Sequence, residues 1–294
     1  MKLLNNIGCF LGLLFCGDVF CSQLSELPFV IIIPSYNNAA WYKKNIDSVL
    51  TQDYHKFRVI YVDDCSNDGM SELVQSYLQE YDVEHRVMYI HNEQHCGAMA
   101  NFYKAIMTCD DREIICNVDG DDWLFDNQVL KKLNIVYQNE NIWLTHGDFI
   151  FDGECGGQKG TRSGYYAYSQ RVIENSSYRL VAWNASALRT FRAWLFKNIC
   201  YTDLLYENEF LPATHDMAIM FPMLEMAGGR CAFIDDVLYV YNINQFNDNH
   251  VRAQLQRDLD VFIRRKRPYA RLKNAGIRSL EEPVYKDEKK INTI

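Results

Sequence analysis

The sequence predicts an α/β fold in which helices flank a mostly parallel central sheet. Three observations carry that reading. Phe29-Val30-Ile31-Ile32-Ile33 is an unbroken, largely β-branched run, as suits a strand buried on both faces. Strand and helix patterns then alternate as far as Phe151, as in successive right-handed βαβ units. Acidic groups, Asp63-Asp64 and Asp119-Gly120-Asp121-Asp122, fall where predicted strands end, the edge at which parallel sheets bind ligands.

Each element follows in order. The first strand stops at Pro34, and Ala39 to Leu50 reads as a helix. Phe57 to Val62 is the second strand. Ser71 to Tyr81 is helical, with Leu73, Val74, Tyr77 and Leu78 on one face. Arg86 to Ile90 is the third strand, Gly97 to Thr108 a helix and Glu113 to Val118 the fourth strand. Asn127 to Gln138 gives another helix and Trp143 to Phe151 another strand. The pattern changes at Asp152. The stretch to Ser169 is rich in Gly, Lys, Arg and Tyr and predicts a loop. Ala187 to Ile199 and Thr214 to Ala227 read as helices, the second closed by Gly228-Gly229, and Cys231 to Tyr241 as one or two strands.

Composition narrows the function. The 294 residues are 48% hydrophobic and 14% aromatic, enough for one large domain with a substantial core. A net charge of −8 speaks against nucleic acid as the main partner, because phosphate neutralisation needs surplus Lys and Arg. Of ten cysteines, Cys9, Cys16 and Cys21 lie near the start; the other seven are scattered without CxxC spacing. Neither a disulfide framework nor a zinc site is expected, and most should be small core residues.

The two ends differ from the middle. Lys2 followed by the apolar stretch Ile7 to Phe15 predicts a signal peptide or short anchor over residues 1–25, with cleavage near Cys21 or Ser22; it is too short for a span of about 20 residues. That implies a secretory compartment or membrane association, or an anchored domain facing the cytoplasm. Residues 251–294 form a basic helix and tail: nine Arg or Lys and two Asp between Arg252 and Arg278, with an apolar stripe of Leu255, Leu259, Phe262 and Ile263. Such a helix either packs on the domain or touches an anionic membrane surface.

Three carboxylates in the four residues Asp119 to Asp122 repel one another unless protons or a cation neutralise them. All-oxygen ligation suits Mg²⁺ or Mn²⁺, which keep waters and share substrate phosphates. An EF-hand fails here: a loop begun at Asp119 puts Leu124 sixth and Leu130 twelfth, and one begun at Asp64 puts Gln75 where a Glu is needed. An acidic helix cap is the plainer alternative, but Asp126 or Asn127 could serve as that cap, which leaves the earlier Asp residues unexplained.

Four motifs in order resemble family 2 glycosyltransferases. These are Ile32-Ile33-Pro34-Ser35-Tyr36-Asn37; Val62-Asp63-Asp64-Cys65-Ser66-Asn67-Asp68-Gly69; Asn92 to Asn101 with Gly97; and Val118-Asp119-Gly120-Asp121-Asp122-Trp123, similar to the DxD motif. The resemblance is tight over the first half and loose over the second. It implies a GT-A fold, with a Rossmann-like sheet and a smaller acceptor-side subdomain: residues 26–130 for the nucleotide-sugar, 131–250 for the acceptor. It also implies that Pro34, Tyr36, Asn37 and Gly97 contact the nucleotide. Asp64 would accept from the base, supported by Asp63. Asp119 would face the ribose or donor sugar, and Asp121 would hold the divalent cation, Mn²⁺ or Mg²⁺, with Asp119 and His250 as further candidate ligands.

The same resemblance makes Asp216 the candidate general base, although His215 stands where Glu is common. From the residues alone, Thr214-His215-Asp216 serves equally as a helix start. Arg189 could bind acceptor or phosphate, though it and Arg192 read first as surface charges. The implied reaction moves a sugar, with inversion, from a nucleotide-diphosphate donor, expected to be a UDP-sugar, to a hydroxyl of a glycan, lipid or protein. The competing classes are a nucleotidyltransferase, whose Gly-rich basic loop is missing after the first strand, and a non-catalytic sugar-binding module.

Overall fold

A computed structural model of the protein describes residues 24–153, 159–243, 253–276 and 285. The N-terminal segment predicted as a signal peptide or anchor lies almost wholly outside the described residues, as does His250. The elements in chain order are β1 (Phe29–Ser35), α1 (Tyr42–Leu50), β2 (Phe57–Asp63), α2 (Met70–Tyr81), β3 (Val87–His91), α3 (Ala98–Met107), β4 (Ile114–Asn117), β5 (Trp123–Leu124) and α4 (Val129–Tyr137). They continue with β6 (Leu144–Asp152), α5 (Gln170–Asn175), β7 (Arg189–Arg192), α6 (Ala193–Phe196), β8 (Leu205–Tyr206), β9 (Glu209–Phe210), α7 (His215–Ala227), β10 (Cys231–Asn242) and α8 (Ala253–Arg265).

Eight strands form one sheet in the order β3-β2-β1-β4-β7-β6-β10-β5. β3, β2, β1 and β4 run parallel, and β10 runs parallel to β6. Only β7 and β5 run against the rest. The β1 run is buried along its whole length because alternate residues enter different cores. Val30 and Ile32 join the core beneath α3, α6, α7 and α8, whereas Phe29, Ile31 and Ile33 join the core beneath α1, α2 and α4. β1 therefore sits mid-sheet, and its carboxyl end opens beside those of β2 and β4.

The second half departs most from expectation at one element. Ala187 to Ile199, read as a helix, instead contains β7, which pairs antiparallel with both β4 and β6, followed by the single turn α6. Ala, Leu and Arg favour helix, but two open sheet edges offered β7 hydrogen bonds on both sides, and tertiary pairing overrode propensity. β5 was not anticipated either: Trp123 and Leu124 pair with Val240 and Tyr239, which brings the far end of β10 back to the acidic turn. Six described cysteines are unpaired, and only Cys109 and Cys116 among them are buried, fewer than a general core role predicts.

Helix α8 packs on the domain. Leu259 and Ile263 are buried in the core that also holds the α7 side chains, and Tyr269 and Leu272 beyond it join them. A buried pair fastens this region: Arg179 donates to Glu225 Oε1 at 2.5 Å and Oε2 at 2.9 Å, and to the Ile263 carbonyl at 2.6 Å. The Tyr269 N–H donates to the same carboxylate at 2.9 Å. Among the described residues no helix is long and apolar enough to cross a membrane.

One buried group gives the fold a pH dependence. His146 on β6 lies between the rings of Tyr168 and Phe233 with no hydrogen-bond partner on Nδ1. Burial lowers its pKa from 6.5 to about 4. The fold favours the neutral ring, so the unfolded chain takes up the proton first. The His146 contribution is complete above about pH 6.5 and is lost as pH falls towards 4, about 3 kcal/mol in all. Urea unfolding of wild type and His146→Phe between pH 7.5 and 4.5 should show a shallower loss in the variant.

Candidate active site

The turn after β1 is built by hydrogen bonds to the loop after β2. The Asn37 N–H donates to Ser66 Oγ at 2.9 Å, the Asn67 N–H to Asn37 Oδ1 at 2.9 Å, and the Ala39 N–H to Asp68 Oδ2 at 2.8 Å. Asn37 adopts φ 56°, a left-handed conformation that Asn tolerates better than most residues. This bracing leaves Tyr36 standing out, 42% exposed, with its ring 4.3 Å from that of His95.

Asp63 and Asp64 occupy the strand end as predicted, but their carboxylates are committed to the protein. Asp63 is fully buried and accepts from the Ser66 N–H at 3.0 Å, from Tyr89 OH at 3.0 Å and from the Ser71 hydroxyl. Asp64 accepts from Asn92 Nδ2 and the Cys96 N–H, both at 2.8 Å, and from the Gly97 N–H at 2.7 Å; His95 Nδ1 lies 2.9 Å away. Burial opposes its ionisation, but the polar groups of Asn101, Cys96, Asn92 and Gly97 outweigh that and hold its carboxyl below the ordinary range. Asp64 therefore organises the loop that carries Gly97 and starts α3. Asp64 and Gly97 line the cleft; Asp63 does not.

The turn after β4 is pinned through its backbone. Asn45 Nδ2 on α1 donates to the carbonyls of Asp119 at 3.0 Å and Asp122 at 2.7 Å. The Gly120 N–H donates to the Pro34 carbonyl at 3.2 Å, and Asn242 Nδ2 to the Asp121 carbonyl at 3.0 Å. Gly120 is needed for close approach rather than for an unusual φ: a Cβ there would meet Ser35 Oγ at 2.3 Å and Ser35 Cβ at 2.6 Å. Asp122 is buried beneath the turn, accepting from Tyr239 OH at 2.7 Å and the Asn242 N–H at 2.8 Å. Burial, then the charges of Asp121 and Asp119, push its carboxyl well above the ordinary range. The side chains of Asp119 and Asp121 are only partly covered and line the cleft.

The second half contributes Arg189 and Asp216. Arg189, read from sequence as a surface charge, is buried on β7. It donates to Asn117 Oδ1 at 3.1 and 3.3 Å, lies 3.4 Å from Asp119 Oδ2 and 3.6 Å from Asp216 Oδ2. Burial alone would lower its pKa, yet the Asp119 and Asp216 charges hold it above the ordinary value. Asp216 lies in the first turn of α7. Thr214 before it adopts φ 59° and caps nothing with its side chain, so the expected cap chemistry is missing. The side chain of Asp216 is one-quarter exposed, while α7 from Met217 to Ala227 is buried.

These residues share one cleft of about 1060 Å³. Pro34, Tyr36, Asn37, Asp64, His95 and Gly97 line it, as do Asp119, Asp121, Arg189 and Asp216. Two partly exposed carboxylates on a rigid turn fit a divalent cation that completes its shell with water and phosphate oxygens. Among the described residues no cluster of three or more His, Cys, Asp or Glu could hold a metal by itself. Asn45, Tyr239 and Asn242 escaped sequence reasoning, and Arg189, named there as a possible acceptor or phosphate contact, reads first as a surface charge. Only Arg189 carried a local signal, an Arg between Leu188 and Thr190-Phe191 in otherwise apolar surroundings.

Known structures with this architecture are GT-A glycosyltransferases. Staphylococcus aureus TarS in complex with UDP-GlcNAc superposes with a TM-score of 0.57 at 19% identity, covering 75% of this chain and 60% of that one. Mannosyltransferase PcManGT from Pyrobaculum calidifontis, in complex with GDP-Man and Mn²⁺, gives 0.56 at 15% identity, covering 82% and 63%. Residues 30–199 match the family described as Glycosyl transferase family 2, so the chain belongs to that family and is a glycosyltransferase. The putative colanic acid biosynthesis glycosyl transferase WcaA of Escherichia coli is 29% identical over 227 residues, 73% of this chain and 72% of that protein. The putative teichuronic acid biosynthesis glycosyltransferase TuaG of Bacillus subtilis is 29% identical over 108 residues, 37% of this chain and 41% of that protein. The family match ends at residue 199, before Asp216.

Proposed function

We propose that the protein transfers a sugar, with inversion, from a nucleotide-diphosphate donor, with UDP the expected nucleotide, to a hydroxyl acceptor, assisted by Mn²⁺ or Mg²⁺. The observation that carries this reading is the joining of Asp119 and Asp121 to Asp216 in one cleft. The base of the donor rests on Tyr36, braced by His95. Asp64 and Gly97 shape the wall beside it. Asp119 and Asp121 hold the cation, whose charge, when it is bound, stabilises the departing diphosphate. Asp216 takes the proton from the acceptor hydroxyl as that oxygen attacks the sugar. The acceptor enters past Trp183, Ser186, Leu211, Gln256, Arg257 and Asp260, which line the same cleft as Asp216. The sign of charge there is mixed, which suits a neutral hydroxylated acceptor.

The N-terminal segment as signal peptide or anchor, and the secretory or membrane setting it implies, belong to the same proposal. A membrane contact would use the outer face of α8, where Val261 and Arg265 are exposed. Incubation with a panel of UDP-, GDP- and other nucleotide-sugars, reading release of free nucleotide diphosphate, tests the function. Release dependent on Mn²⁺ or Mg²⁺ is expected; release of pyrophosphate instead would indicate nucleotidyl transfer. With the donor so identified, Tyr36→Ala should raise its KM by about 5- to 100-fold through lost stacking and change kcat little.

A further inference from the structure

We propose that Arg189 is the resident cation of the active site before substrate arrives, and that it makes metal binding depend on the nucleotide diphosphate. The inference rests on the divalent-cation reading of Asp119 and Asp121. Arg189 is always charged and is held in place by two contacts to Asn117 Oδ1, at 3.1 and 3.3 Å. From there its fork reaches Asp119 at 3.4 Å and Asp216 at 3.6 Å, on opposite sides of the reaction. Both contacts are longer than a tight charged hydrogen bond, so the guanidinium is shared between the carboxylates rather than bound fully to one.

Two consequences follow from charge alone. A divalent cation entering at Asp119 meets a fixed, buried positive charge that already satisfies part of that carboxylate, and like charges repel strongly where water is scarce. Among the described residues the donor set is also thin, since no cluster of three His, Cys, Asp or Glu forms there. A free metal ion should therefore bind weakly. A nucleotide diphosphate supplies the missing oxygens together with negative charge that offsets Arg189. Metal and nucleotide then enhance each other, and the enhancement is reciprocal. Once the metal takes Asp119, Arg189 stays beside Asp216 and keeps that carboxylate oriented towards the acceptor, which makes it a positioning residue.

The test is calorimetric titration of Mn²⁺ into the full chain, with and without saturating UDP or GDP, for wild type, Arg189→Met and Arg189→Lys. Wild type should bind Mn²⁺ weakly alone and at least about tenfold more tightly with the nucleotide. Arg189→Met should tighten Mn²⁺ alone by about tenfold or more and shrink the nucleotide enhancement to the part supplied by the diphosphate oxygens. Arg189→Lys keeps the charge and should stay near wild type. The inference is overturned if wild type binds Mn²⁺ equally well with and without nucleotide, a measurement that needs no variant. It is also overturned if Arg189→Met binds Mn²⁺ no more tightly than wild type. Wild type that binds neither Mn²⁺ nor its nucleotide complex overturns this inference together with the metal reading; intact coupling that Arg189→Met leaves unaltered removes the Arg189 inference alone.

Discussion

Asp216→Asn is expected to lower the transfer rate by about 10²- to 10⁴-fold, the usual worth of a positioned general base. The amide has nearly the same shape but cannot accept the acceptor proton. Donor affinity should change little, because the nucleotide end of the cleft lies on the β1, β2 and β4 side and Asp216 on α7. The position is built for exposure of one carboxylate: α7 is otherwise buried from Met217 to Ala227, and its first turn alone borders the cleft. Thr214 holds a left-handed conformation there without forming a cap, a cost of order 1 kcal/mol that a purely structural helix start would avoid. Single-turnover transfer and donor binding measured on the same preparation check the outcome. A rate within threefold of wild type would assign the base elsewhere.

Arg179→Met should destabilise the protein by about 3–5 kcal/mol, because it takes the two guanidinium hydrogen bonds from the buried Glu225 carboxylate. Glu225 is fully buried in α7, and Arg179 donates to both of its carboxylate oxygens. For a chain of this size the melting temperature should fall by roughly 10 °C. Replacing both residues, Arg179→Met with Glu225→Leu, should recover part of the loss by removing the stranded charge. Recovery stays partial, because the Ile263 carbonyl and the Tyr269 N–H lose their partners. Thermal unfolding of the two variants beside wild type settles the order: wild type, double variant, single variant.

What could be read in the sequence was whatever short-range chemistry specifies. The run Phe29 to Ile33 announced a strand covered on both faces, and β1 is buried throughout. Asp119 to Asp122 announced a charged turn at a strand end, and that turn borders the cleft. Sequence could not divide labour within the cluster. Asp122 is indistinguishable from Asp121 as a letter, but Tyr239 and Asn242, more than a hundred residues later, turn it into a buried structural acceptor. Likewise nothing near Asp63 and Asp64 reveals that Ser71, Tyr89, Asn92 and Gly97 occupy their carboxylates. The misread strand β7 has the same origin: its register comes from β4 and β6, not from its own residues. Arg189 followed it into error, because a helix would have placed it on a surface and the sheet buries it between two acids.

Asp121 carries the central claim, that a divalent cation on the acidic turn holds the diphosphate of the donor. The direct measurement is titration of UDP and GDP into wild type and Asp121→Ala, each with Mn²⁺ and with excess EDTA. Wild type should bind one of the nucleotides in Mn²⁺ and lose about 100-fold or more in affinity in EDTA, with Asp121→Ala weak in both conditions. Equal affinity in Mn²⁺ and EDTA, or an Asp121→Ala variant that binds as wild type does, would contradict it.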